Sequence, residues 1–206
     1  MSKALMHADE ATIAPEAHDR YTKTAIALHW LVAALIAVNL VLGVSMARLP
    51  ISPRKLEWYI VHKSIGLTVF LLTGLRLGWR LTHRPPAMVP MPDWQRRAAA
   101  AAHALLYALM FAIPISGWVY SSATGVQVVY LGLFPLPDLV HKSRALGDAL
   151  LVVHVTLNSI LVALVSLHSV AALRHHFADR DATLARMLPG VGGRLGSTIA
   201  MTRGGE

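Results

Sequence analysis

Four apolar runs, Ala25 to Met46, Trp58 to Arg80, Ala98 to Tyr120 and Ala149 to Leu173, set the first limit on what this chain can become. Each is close to the ~20 residues that a helix needs to cross the hydrocarbon of a bilayer. No water is at hand there for a bare N–H or C=O, and only a helix satisfies its backbone within a single run. The expected fold is therefore all-α, an integral-membrane four-helix bundle with spans of about 25–46, 58–80, 98–120 and 149–173. A mean hydropathy of +0.51 and only 15% charged residues agree with a chain whose outer surface faces membrane lipid.

The formal charge of +8 is no sign of a nucleic-acid partner, because in such a chain the placement of Lys and Arg matters more than their sum. With the N-terminus inside, thirteen of the 19 fall on the inner side: Lys3, Arg20, Lys23, Arg76, Arg80, Arg84, Arg96, Arg97, Arg174, Arg180, Arg186, Arg194 and Arg203. Arg48, Arg54, Lys55, Lys63, Lys142 and Arg144 fall outside, so both termini are expected in the cytoplasm. Residues 1–20 are polar and mixed in charge, without the apolar centre of a secretory signal, and read as an arm. Residues 21–177 form the transmembrane domain, and 178–206, with the Gly-rich end PGVGGRLGSTIAMTRGGE, read as a flexible tail. The proline-dense THRPPAMVPMPDWQ separates the second helix from the third. The segment GVQVVYLGLFPLPDL, apolar but broken by Gly and Pro, is expected at the outer interface.

Histidines inside the runs carry the chemistry. His154 and His168 are fourteen residues apart, close to four turns, so they share one face of the last helix at two depths ~21 Å apart. In the alternating topology His29 lies near the inner end of the first run and His62 near the outer start of the second. Each depth thus has two histidines on different helices. A zinc site wants three or four protein ligands, and the runs offer no Cys, Asp or Glu inside the hydrocarbon to complete one. Haem iron needs only axial ligands, because the porphyrin supplies the other four, and imidazole suits that place. Two levels imply two haems b. The absence of cysteine excludes iron–sulfur clusters and disulfides. Arg76 stands where it could meet a haem propionate at the inner level, and Gly66, one turn after His62, leaves room for a flat macrocycle. His175, two turns beyond His168, lies where a quinone headgroup would sit. His103, His141 and His176 read as ordinary hydrogen-bonded histidines.

Taken together, His29-Trp30, His62-Lys63-Ser64-Ile65-Gly66, Arg76-Leu77-Gly78-Trp79-Arg80, Pro114-Ile115-Ser116-Gly117-Trp118, and His154 with His168 resemble the bacterial cytochrome b561 family over residues 20–177. The resemblance implies a di-haem b bundle in the bacterial inner membrane, with His29 and His168 on the inner iron and His62 and His154 on the outer. It also implies a quinone-linked oxidoreductase, one branch of which oxidises superoxide outside while reducing ubiquinone. On the outer side, six basic residues against Glu57, Asp138 and Asp148 leave +3, a field that would steer a small anion inward. Two other readings stand beside this one. The chain could be a haem b anchor and electron conduit for a peripheral dehydrogenase or hydrogenase-type partner, or a haem-free transporter or scaffold.

Overall fold

The computed structural model describes residues 20–189. Its elements run α1 (Lys23–Arg48), α2 (Pro53–Thr82), α3 (Asp93–Thr124), β1 (Val129–Tyr130), β2 (Phe134–Pro135), α4 (Arg144–Phe177) and a 3-10 turn (Ala185–Met187). All four α-helices are long and apolar enough to cross a membrane. Each outruns its predicted span by two to five residues at either end. Hydropathy marks only the stretch that meets lipid tails, whereas capping decides where the backbone stops turning. Thr22, Ser52 and Ser143 accept from the amides of Ala25, Lys55 and Leu146 at 3.2, 3.3 and 3.4 Å and start α1, α2 and α4. Pro53, whose missing N–H costs nothing at a first position, follows the second cap. Gly125 ends α3 at φ 73°, a left-handed turn that glycine adopts without strain. The helix runs unbroken through Pro114.

Packing follows chain order, α1 on α2, α2 on α3 and α3 on α4. One buried cluster joins Val32, Val69 and Met110 across the first three helices, and a second joins Leu109, Ile113 and Leu161 between α3 and α4. By contrast, α4 stands off from α1 and α2. Outward positions such as Val41 and Val152, each 66% exposed, would be misplaced in water but form the face that meets lipid.

The two ends of the described chain meet on one side of the bundle. The Arg20 guanidinium donates to the carbonyls of Ala185 and Leu188, both at 3.1 Å, and Trp30 Nε1 donates to Met187 O at 2.7 Å. Arg186 reaches Ala87 O at 2.7 Å, tying the loop before α3 to the same strap. Residues 178–189, placed in a flexible tail by sequence, therefore fold under the end of the bundle where α1 begins and α4 stops. Hydrogen bonds from side chains to carbonyls hold them, and such bonds leave no mark in hydropathy. The rest of the arm and tail lies outside the described residues.

On the opposite side β1 and β2 pair antiparallel through a turn at Leu131 and Gly132, with φ of 55° and 71°. Leu131 is costly in that region, by about 1 kcal/mol. Its amide is fixed by Ser64 Oγ at 3.0 Å, and the Tyr130 hydroxyl meets Thr68 Oγ1 at 3.2 Å, so the hairpin is fastened to α2 next to His62.

Candidate functional site

The standing-off of α4 is bridged twice, and both bridges are histidines. His62 of α2 faces His154 with ring centres 6.3 Å apart and planes at 79°. His29 of α1 faces His168 at 6.4 Å and 73°. A ligating imidazole nitrogen sits about 2.0–2.1 Å from its metal and ~1.1 Å from its own ring centre, so two imidazoles on opposite sides of one metal have centres about 6.3 Å apart. Both pairs meet that spacing, and they join helices that otherwise touch little. A flat group between facing imidazoles needs such a separation, and the residues therefore fit one metal-centred macrocycle at each level.

At the outer level each ring is already oriented. His62 Nδ1 lies 3.2 Å from Asn39 O, a carbonyl that can only accept, so Nδ1 carries the hydrogen. His154 Nδ1 lies 2.9 Å from Ser116 Oγ, whose own hydrogen goes to Ile113 O at 2.7 Å, so here too Nδ1 is the donor. Both Nε2 atoms keep a free lone pair, the tautomer a metal ligand requires. Two glycines lie behind these rings. A Cβ on Gly43 would come within 3.2 Å of His62 Cε1, and one on Gly117 within 3.0 Å of His154 Cε1.

The inner level is built differently. His29 Nδ1 is buried without a hydrogen-bond partner among the described residues, and no bond to either nitrogen of His168 occurs there. A third ring, His103 of α3, stands 5.4 Å from His168. Arg76, half-buried, has its guanidinium 5.4 Å from the centre of the Tyr107 ring, and its charge reaches His29 and His168. Gly66 faces Asn39, whose Nδ2 is the one atom near a Cβ there, at 3.6 Å.

His175, expected to meet a quinone, is tied to the strap. Its Nδ1 lies 2.6 Å from one oxygen of Asp181 and 3.3 Å from Asp179. Burial raises the Asp181 carboxyl, but the hydrogen bonds from the Thr183 amide and from His175 outweigh it and hold the group below its ordinary value.

The four imidazoles were legible as intramembrane ionisable residues at matched depths. Asn39, Ser116, Gly43 and Gly117 were missed. Only Ser116 carried a signal, as a polar residue inside an apolar run; Asn39 acts through its backbone carbonyl, which any residue would supply.

The family model for prokaryotic cytochrome b561 matches residues 20–190. Cytochrome b561 homolog 2 of Escherichia coli (strain K12) is 36% identical over 177 residues, which cover 82% of this chain and 92% of that protein. Cytochrome b561 homolog 1 of the same strain is 30% identical over 176 residues, 83% of this chain and 98% of the relative. A protein named probable superoxide oxidase CybB, from Yersinia pestis, is 30% identical over 175 residues, 84% and 97% of the two chains. Matched from its first described residue to its last, and with four apolar helices long enough to span a membrane, the chain belongs to the prokaryotic cytochrome b561 family of membrane haem b electron-transfer proteins.

Proposed function

We propose that this protein holds two haems b and carries electrons across the inner membrane of a bacterium, from a donor at the outer face to ubiquinone at the inner one. The observation that carries this reading is the repeated 6.3–6.4 Å separation of facing imidazoles at two depths. His62 with His154 would hold the outer haem and His29 with His168 the inner. Haem b supplies a one-electron Fe(III)/Fe(II) couple at each place. Arg76 would pair with an inner propionate, a charge-assisted contact that suits a half-buried guanidinium. Gly66 leaves the face of α2 one turn from His62 without a side chain where a macrocycle edge would lie.

Superoxide is the donor this reading favours. Support comes from the net charge of +3 on the outer side and from the similarity to the Yersinia pestis protein named above. Two superoxide anions, giving one electron each, would leave as two O2, and one ubiquinone would take both electrons and two protons to become ubiquinol. His175 would supply those protons at the inner end, its Nδ1–H turned to Asp181 and Asp179 and its Nε2 left for a quinone oxygen. Both termini would lie in the cytoplasm.

Stopped-flow mixing of the purified, haem-loaded protein with superoxide, with and without ubiquinone, tests this directly. The expected result is haem reduction by superoxide alone and faster reoxidation when ubiquinone is added. A protein inert to superoxide that copurifies with a dehydrogenase would instead be an electron-conducting subunit.

A further inference from the structure

The two imidazole pairs are alike in spacing and in burial, all four rings being half-buried, yet they differ in what stands behind them. An acceptor on the far nitrogen draws the Nδ1 hydrogen away from the ring. The imidazole then becomes a stronger donor to its metal and favours the more highly charged, oxidised ion. Both outer rings have such an acceptor, Asn39 O at 3.2 Å and Ser116 Oγ at 2.9 Å. Ser116 is itself fixed, because its hydrogen is spent on Ile113 O and its lone pairs face His154. His29 has no acceptor, and no bond to His168 occurs among the described residues.

Nearby charge works in the same direction. Arg76 acts on both inner rings and makes no ion pair among the described residues, and the propionate it would hold offsets only part of its field. A cation there favours the reduced, less charged iron. The outer level has its own cation in Lys63, next to His62 in sequence. Its ammonium, however, turns to the carbonyls of Val126 and Gln127 at 3.2 and 3.5 Å and feels Asp138, which offsets part of its field.

We infer that Asn39 and Ser116 grade the two redox centres, setting the outer one at the lower potential so that a single electron settles at the inner side. This rests on the two-haem reading above. The transfer would pass one electron from the group held by His62 and His154 to the one held by His29 and His168, with no bond or proton changing place. Ser116 acts through His154 and is a positioning residue.

Spectroelectrochemical titration of the full-length, haem-loaded protein and its Ser116→Ala and Ser116→Thr variants tests the inference, after haem per chain is counted on the same samples. Two haems with two resolved potentials are expected. Ser116→Ala should raise the lower potential and leave the higher one in place, and Ser116→Thr, which restores a hydroxyl, should return the lower value toward the starting one. A shift of the higher potential, a shift of neither, or two indistinguishable potentials with two haems bound would overturn the grading while leaving the two-haem reading intact. Fewer than two haems in the unsubstituted protein overturns both. If Ser116→Ala loses the outer haem altogether, Ser116→Cys, with a weaker acceptor in the same place, decides: a raised lower potential supports the grading, and an unchanged one contradicts it.

Discussion

His29 and His103 both approach His168, and distance separates their roles. At 5.4 Å the His103 ring is roughly 0.9 Å too close for a metal midway between two imidazoles, whereas His29 at 6.4 Å is not. His103→Ala should therefore keep the full haem content, and His29→Ala should lose the inner haem, as read by pyridine haemochrome per mole of chain. The glycines separate in a similar way. A methyl on Gly117 meets His154 at 3.0 Å, so Gly117→Ala should displace that ring, cost about 1–3 kcal/mol of overpacking and weaken the outer site. Gly66→Ala meets nothing in the protein closer than 3.6 Å. Its apoprotein should melt as the parent does while its haem content falls, and unchanged haem content would remove Gly66 from the site.

Among the elements, the strap of residues 178–189 depends on a carboxylate. Asp181 accepts from the Thr183 amide at 2.8 Å and from His175 at 2.6 Å, and its carboxyl is held below the ordinary value in the folded protein. A depressed folded value means that the contribution is fully present above the unfolded value of about 3.9 and is lost as pH falls through the folded one. Hydrogen exchange of the strap amides should thus be unchanged from neutral pH down to about 4 and accelerate below it. Asp181→Asn should loosen the strap already at neutral pH. The helices themselves were readable, because four runs of the right length allow little else in lipid. Their ends were not, since Thr22, Ser52 and Ser143 set them by local hydrogen bonds outside the apolar stretches. The hairpin was readable as an interfacial segment but not as a clasp on α2, because that depends on Ser64 and Thr68 meeting a loop some 65 residues away in sequence. Removing one cap, as in Ser143→Ala, should cost about 1 kcal/mol.

For the molecule as a whole, alternating helices bring both ends of the described chain to one side, and the distribution of Lys and Arg predicts that this side faces the cytoplasm. The natural sequence has no cysteine, so single introduced thiols report topology cleanly. A membrane-impermeant maleimide on intact spheroplasts should label His141→Cys and spare Ser197→Cys. The site was legible in part. Matched depths gave the two pairs, because helical rise converts sequence position into depth, but what lies behind each ring depends on neighbouring helices and so stayed hidden until Asn39 and Ser116 were placed. The pairing itself is tested most directly by haem counted per chain in the purified protein and in His62→Ala. Two haems b falling to one, with the remaining spectrum intact, is the expected result; none in the parent, or a count that the substitution leaves unchanged, would contradict it.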